Sequence, residues 1–446
     1  MAQQQWSPSQ VLVVSLAALI GIGTVLLWLP MSGSQGQISF VNALFTSTSA
    51  VCVTGLAVVD ASADLSLTGQ IVLMLLIQAG GLGYMSLTTL VAVALGRALT
   101  VQERLTLQEA LNVQSMEGLI RFTLGIFRLT LAFELAGALI LGLWWAADMG
   151  LAKALWFGLF HSVSAFNNAG FTLHSDSLMR YRGDWVVNAV ICSLVVIGGI
   201  GFVVLRELAH WRSSLKMSTH SRLALAMTGL LLVGGTLTIY ALEHRNPRTL
   251  AGLAPSEAWL AAFFQAVSPR TAGFNTIDIG AMTQPALFIL MILMFIGAAP
   301  GGTGGGVKVT TFGITVAALW ATVRGVDEPV IFRRRLSNQL VARAFFICLI
   351  AFLAVNGAAG LLLISEERLL LPTLFETTSA FGTVGLSMGV TGSPLSLVGH
   401  FTMFGKLMLV GMMFMGRIGP LTVAVALAHR REAPRIRYAE GKVLVG

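Results

Sequence analysis

Phe375-Glu-Thr-Thr-Ser-Ala-Phe-Gly-Thr-Val-Gly385 is a polar stretch, rich in Thr, Ser and Gly, set between two long apolar runs. A Thr-Val-Gly backbone can turn its carbonyls toward a pore axis, where they replace an ion's hydration shell. Three variants lie earlier in the chain. Phe45 reaches Gly55 through TSTSAVCVT, Phe160 reaches Gly170 through HSVSAFNNA, and Phe263 reaches Gly273 through FQAVSPRTA. Nine residues separate Phe from Gly each time, and Ser49, Ser164 and Ser379 stand six before the glycine, with Val267 as the exception. With 25 Phe and 48 Gly in 446 residues, about three such pairs arise by chance, so spacing alone decides nothing. Placement does: the glycines recur roughly every hundred residues, each in a polar gap between membrane-length apolar runs. The chain reads as a fourfold internal repeat.

Composition agrees. The chain is 55% hydrophobic and 11% charged, with a mean hydropathy of +0.81, against about 25% charged residues in soluble domains. Apolar runs long enough to span a bilayer recur from end to end, which implies an integral membrane protein without a large soluble domain. The first run, 11–30, has no basic leader and is long enough to span, so it reads as a retained helix rather than a signal peptide. Cys52, Cys192 and Cys348 are scattered, show no metal-ligand spacing, and read as small core residues. The net charge of +8 is unevenly distributed. If the polar repeats dip in from outside, basic residues collect in the inner loops and C-terminal tail, and acidic ones outside. The positive-inside rule then places both termini in the cytoplasm. An acidic outer face would also concentrate cations at a pore mouth. Short basic loops suit anionic headgroups or a cytoplasmic partner, and no nucleic-acid partner is expected.

The expected fold is an all-α polytopic membrane protein. Each of its four repeats holds an outer helix, a re-entrant pore helix, a filter loop and an inner helix around a pseudo-fourfold pore. The repeats cover 1–97, 98–210, 211–324 and 325–430, followed by a basic cytoplasmic tail, 431–446. The expected helices and re-entrant segments are 11–29, 41–50 and 68–95; 121–145, 161–170 and 185–205; 223–242, 257–273 and 285–320; 341–364, 371–385 and 400–428. A re-entrant helix of about ten residues is ~15 Å long, half the ~30 Å hydrocarbon core. It ends near mid-membrane, so the extended residues after it must line a watery cavity.

Four glycine turns around one axis supply a ring of carbonyl oxygens, which solvate a monovalent cation without trapping it as carboxylates would. The candidate contributors are Val53, Thr54 and Gly55; Asn168, Ala169 and Gly170; Thr271, Ala272 and Gly273; and Thr383, Val384 and Gly385. Glycine suits a turn with φ values that strain other residues, and the pore helices aim their partly negative C-termini at the cavity. Close helix packing is the other use of such glycines.

A second unusual stretch, Gly297-Ala-Ala-Pro-Gly-Gly-Thr-Gly-Gly-Gly-Val-Lys308, lies inside the third inner helix. A continuous helix over 285–320 would be about 54 Å long; Pro300 and the glycines must break it. Gly301, Gly302, Thr303, Gly304, Gly305 and Gly306 then read as a flexible plug below the filter. A phosphate loop is excluded, because Val307 interrupts the required GK[ST]. Arg417, in Gly-Arg-Ile-Gly-Pro, sits in the fourth inner helix, where a charge is expensive and a functional role is the default. It would face the pore and restrain cations, bonding carbonyls of the glycine stretch. Lys308 either joins this gate or reaches the inner interface. Glu134 either pairs with a nearby Arg or serves coupling, a structural role being the favoured reading, and Glu376 reads as an acid at the start of the fourth re-entrant helix. An intramembrane enzyme would need an orienting acid beside His161 and Ser164, and none is evident. An alternating-access carrier also predicts repeats and broken helices, but places polar side chains rather than backbone at mid-membrane.

The segments SAVCVTGL, FNNAGF, PRTAGFNT and FGTVGLS, with GGTGGGVKVTT and GRIGP, resemble the Trk/Ktr/HKT superfamily of K⁺ transporters, most closely its Ktr membrane subunit. The likeness runs from about Phe45 to Pro420. Room for a single helix before the first filter segment favours Ktr over Trk. The resemblance implies K⁺ uptake at the bacterial inner membrane by a non-enzymatic homodimer. It implies Na⁺ as an activator and a cytoplasmic ring of regulatory subunits that binds the nucleotide, ATP or ADP, outside this chain. Gly55, Gly170, Gly273 and Gly385 would be the filter glycines, Gly301–Gly306 the gating loop, and Arg417 the pore arginine. In plant relatives a serine at the first filter position goes with Na⁺ transport; here it is Gly55.

Overall fold

A computed structural model describes residues 8–83, 119–210, 217–326, 328–390 and 393–427. The expected 431–446 tail and the 84–95 part of the first inner helix lie outside the described residues.

Among the described residues the architecture is all-α apart from one short hairpin, and the helices fall into four consecutive groups. The first holds α1 (Pro8–Trp28), α2 (Phe40–Val51) and α3 (Leu67–Leu82). The second holds α4 (Leu119–Met149), α5 (Leu151–Phe166), α6 (Trp185–Gly199) and α7 (Phe202–Ala209). The third holds α8 (Thr219–Glu243), α9 (Pro255–Val267), α10 (Gln284–Phe295) and α11 (Val309–Val323). A hairpin follows, with β1 (Val330–Ile331) antiparallel to β2 (Arg334–Arg335). The last group holds α12 (Asn338–Glu366), α13 (Leu370–Gly382), α14 (Met403–Ile418) and α15 (Pro420–Leu427).

Helix starts follow local chemistry. Ser39, Ser66, Ser218, Thr283, Ser337 and Thr402 each cap a helix by accepting a backbone N–H with the side-chain oxygen, and Asp184 accepts two. Among the described residues four helices, α1, α4, α8 and α12, are long and apolar enough to cross a membrane. Their apolar side chains point outward: Leu131, Leu135, Leu139 and Leu143 form an exposed stripe on α4. That arrangement suits a hydrocarbon solvent.

The pore helices α2, α5, α9 and α13 invert the pattern. At 12 to 16 residues they are about 18–24 Å long, too short to span, and their C-terminal turns are buried even where polar. Thr46, Ser47, Thr48 and Ser49 are buried on α2, as are Thr377, Thr378 and Ser379 on α13. Phe45, Phe160 and Phe375 are fully buried anchors.

The third group departs from the expected register. Phe263 is 37% exposed, whereas Phe264 is 2% exposed and fills the anchor position. Ser268 likewise takes the place of Ser49, Ser164 and Ser379, and the loop is one residue shorter. Pro269 has no backbone N–H with which to continue the helical ladder, so α9 ends at Val267, with Ser268 still in helical dihedrals, while α2 and α5 run two residues past their serines.

The last helices are more broken than the sequence reading supposed. The expected helix over 185–205 is two helices bent by 103°, and 400–428 divides at Gly419. Gly83, Gly201 and Gly419 carry φ of +77°, +97° and +97°, a region that favours glycine. Each closes a Gly-x-[Leu/Ile]-Gly pattern, at Gly80–Gly83, Gly198–Gly201 and Gly416–Gly419. The leading glycine has its own purpose. A Cβ on Gly80, Gly198 or Gly416 would collide with the carbonyl oxygen of Val51, Phe166 or Phe381, at the end of the neighbouring pore helix. The helix break over 285–320 falls where expected, between Phe295 and Val309.

Candidate functional site

The four filter loops follow the four pore helices and meet in a closed ring. Val53, Asn168, Thr271 and Thr383 all take the left-handed conformation, with φ between +49° and +69°. Two residues later Gly55, Gly170, Gly273 and Gly385 have φ of +90°, +68°, +81° and +91°. The backbone thus turns twice within three residues, a geometry that only glycine adopts without strain at the second turn. Each glycine also lies against the next loop. A Cβ on Gly55 would fall 2.5 Å from the Ala169 carbonyl oxygen, and one on Gly170 would fall 2.8 Å from that of Ala272. Gly273 packs still closer on Val384 O, and Gly385 on Thr54 O, which completes the circuit. All twelve residues singled out in the sequence therefore lie in one ring of four loops.

Buried serines hold each loop to its pore helix. Gly55 N donates to Ser49 Oγ at 3.0 Å, and Ser49 Oγ donates to Leu56 O at 2.9 Å. Ser164 Oγ donates to Phe171 O at 2.7 Å, and Gly385 N donates to Ser379 Oγ at 3.1 Å. In the shortened third loop Ser268 Oγ donates to Phe274 O. The second and third loops are also tied together, because Asn168 Nδ2 donates to Arg270 O and Thr271 Oγ1, both at 3.1 Å.

On one side of the ring is a vestibule of about 580 Å³ lined by all four filter glycines. Its wall is mixed in charge rather than simply acidic: Asp60, Asp176 and Asp278 are offset by Arg248 and Arg368. On the other side lies the glycine loop. Gly305 N donates to Thr383 Oγ1 at 3.1 Å, and Gly304 packs on Thr271 Oγ1. Thr303 N donates to Gly198 O at 3.1 Å, Ala299 N to Gly199 O at 3.0 Å, and Gly306 N to Gly416 O at 3.1 Å. Arg417 bridges from the fourth group. Its Nη1 donates to Thr303 O and its Nη2 to Gly80 O, with Gly81 O at 3.3 Å. Arg417 stands where the other two Gly-x-[Leu/Ile]-Gly patterns have Gly81 and Gly199. The guanidinium thus joins the first group, the third and its own. Lys308 does not extend to an interface; its Nζ folds back onto Gly304 O at 2.6 Å.

Two other expectations are corrected, those for Glu134 and Glu376. Glu134 has no arginine partner among the described residues: it accepts from Gln78 Nε2 at 3.2 Å and Asn167 Nδ2 at 2.8 Å. Glu376 does not start its helix but sits mid-way along α13, since that helix begins at Leu370. There it accepts from Val398 N at 3.0 Å and holds the loop beyond the filter. His161 and Ser164 do not face each other as a catalytic pair. Ser164 holds the second loop of the ring, whereas His161 Nδ1 meets Phe157 O at 2.7 Å and its Nε2 accepts from Leu173 N at 3.4 Å. The sequence reading missed Ser268 and Arg270 as residues that tie the ring loops together, although Pro269 between them signals the early helix end.

Comparison with known proteins agrees with this geometry. Residues 5–437 match the TrkH family model, described as a cation transport protein. The chain is 41% identical to Ktr system potassium uptake protein B of Bacillus subtilis, over 99% of this chain and 97% of that protein. It is 39% identical to the Vibrio alginolyticus protein of the same name, over 98% and 94%. Potassium/sodium uptake protein NtpJ of Enterococcus hirae is 35% identical, over 100% and 98%. Among solved structures, the potassium transporter TrkH from Vibrio parahaemolyticus superposes with a TM-score of 0.73 at 20% identity, covering 96% of this chain and 86% of that one. The fold is shared with that transporter.

Proposed function

Because the chain belongs to the TrkH family of cation transport proteins, we propose that it takes up K⁺ across the plasma membrane through a gated pore along the axis of its four filter loops. The observation that carries this reading is the closed ring of four glycines, with a vestibule on one side and the glycine loop on the other. A dehydrated K⁺ needs several oxygens of moderate field strength, and the carbonyls of residues such as Thr54, Ala169, Ala272 and Val384 offer them. No side-chain carboxylate lies among the twelve ring residues to trap the ion.

In this reading the vestibule faces outside and both termini face the cytoplasm. The glycine loop, Gly301–Gly306, with Arg417 and Lys308, closes the path below the filter. Arg417 restrains flow by its charge and by holding the loop at Thr303. A cytoplasmic nucleotide-binding ring moves the loop, Na⁺ stimulates uptake, and two chains form the working dimer. The membrane potential drives the ion, at ~2.3 kcal/mol per charge for each 100 mV.

Growth of a K⁺-uptake-deficient bacterium on limiting K⁺ tests the proposal. The chain, expressed with a candidate regulatory ring, restores growth, and Na⁺ in the medium improves it. Failure to restore growth with folded protein in the membrane would contradict it.

A further inference from the structure

The third filter loop carries a buried guanidinium that the gate described above does not use. Arg270 immediately precedes Thr271, is 6% exposed, and forms no ion pair among the described residues. Its Nη1 donates to Ile296 O at 3.1 Å, and its Nε has no partner among the described residues. A charge inside a membrane protein with one neutral acceptor is costly, so a specific use is expected.

Its acceptor is informative. Ile296 is the residue at which α10 gives way to the glycine loop, and it pairs in a parallel bridge with Val307, where the loop returns. Gly297 N donates to Val307 O at 2.8 Å and closes this neck. Arg270 therefore grips the neck rather than the body of a stable helix. A cation also suits this carbonyl, which lies at the partly negative C-terminal end of α10. On its other side, the Arg270 backbone oxygen accepts from Asn168 Nδ2. A continuous run of contacts leads from the second filter loop, through the third, to the neck of the glycine loop. The third loop is the one that Pro269 shortens, so it has fewer residues with which to absorb a pull from the neck.

We infer that Arg270 is a positioning residue that couples the glycine loop to the filter, so that the state of the loop sets the cation affinity of the ring. When the loop moves, the neck shifts the Ile296 carbonyl. Arg270 passes this displacement to the adjoining carbonyls of Thr271 and Ala272. The inference rests on the K⁺-pore reading above and adds to it a second role for the loop, beyond blocking the path.

The test is a double-mutant cycle on Rb⁺ uptake in cells carrying the chain and its regulatory ring, read as KM and Vmax with and without competing Na⁺. Arg417→Ala frees the loop at Thr303. It should shift the Rb⁺ KM by roughly threefold or more, and weaken exclusion of Na⁺, in the otherwise unchanged chain. In the Arg270→Gln background the same Arg417→Ala change should move KM by less than about 1.5-fold, the non-additivity expected of coupled residues. Arg270→Lys, which keeps one charged donor, should restore most of the shift. A merely structural Arg270 would lower Vmax through fewer active copies and leave the Arg417→Ala shift in KM undiminished. That result overturns the inference, as does an Arg417→Ala chain whose KM does not move. If Arg270→Gln does not accumulate, Arg270→Met takes its place in the cycle: the Arg417→Ala shift must shrink there, and an unchanged shift overturns the coupling. Absence of Rb⁺ uptake by the unmodified chain would instead overturn the pore reading on which the inference stands.

Discussion

Gly385, from the last filter loop, packs directly on the carbonyl oxygen of Thr54, from the first. This contact closes the ring. It can form only if the four groups of helices surround one axis, because the other three contacts step in order from each loop to the next. Fourfold symmetry is thus built within a single chain, and each member of the ring can differ slightly from the others.

Gly385→Ser should weaken the preference for K⁺ over Na⁺. A Cβ there meets Thr54 O, and φ of +91° strains any side chain. The ring must widen on that side, which favours loss of discrimination over loss of conduction. Rb⁺ uptake under increasing Na⁺ measures this, and an unchanged preference would remove Gly385 from the filter.

Deleting Gly301–Gly306, or changing Arg417 to Ala, should raise flux when the regulatory ring is absent. Both remove the contact between Arg417 and Thr303, and the deletion also removes the Gly305 N–Thr383 Oγ1 bond. An unchanged rate in both variants would mean that the stretch does not gate.

Ser268→Ala should cost about 1–3 kcal/mol, since the buried Phe274 carbonyl loses its donor. Val267→Ser should not rescue it, because Val267 lies one position out of register with Ser49, Ser164 and Ser379. Thermal unfolding in detergent reads both variants. Rescue by Val267→Ser would show that the one-residue shift in the third loop is wrong.

His174 lines the vestibule, buried against Trp145, Phe157, His161 and Tyr181. Burial lowers its pKa from 6.5 to about 4; Arg180 and Lys153 add to the shift and Asp176 opposes it. Between these two values the unfolded chain binds more protons at this residue than the native one, so stability falls as pH drops from about 6.5 to about 4. Melting temperature followed through that window should decline, and His174→Gln should flatten the slope. A slope unaltered by His174→Gln would assign the pH dependence to other groups.

The ring of four loops was legible because two constraints coincide at each glycine: a positive φ and a backbone neighbour leave no room for a Cβ, so Gly55, Gly170, Gly273 and Gly385 stand out against the apolar runs. The glycine loop was legible for a similar reason, since Pro300 and its glycines are incompatible with a continuous helix. Other features depend on tertiary packing. The helix end at Gly83 and the breaks at Gly201 and Gly419 hide inside hydrophobic runs, and the Gly-x-[Leu/Ile]-Gly pattern acquires meaning only where a pore-helix carbonyl presses on its first glycine. Ser268 was obscured because Pro269 removed one residue from the spacing. Glu134 and Glu376 were assigned the wrong partners because the groups they bind, Asn167, Gln78 and Val398, are neutral and far from them in the chain or donate from the backbone.

The most direct measurement is radiolabelled Rb⁺ uptake by a K⁺-transport-deficient bacterium expressing this chain with a candidate regulatory ring, with and without Na⁺. A K⁺ pore at the four-glycine ring gives saturable uptake, competed by K⁺ and stimulated by Na⁺. Absence of uptake with folded protein and ring present would contradict a K⁺ pore at the four-glycine ring and turn attention to an alternating-access carrier.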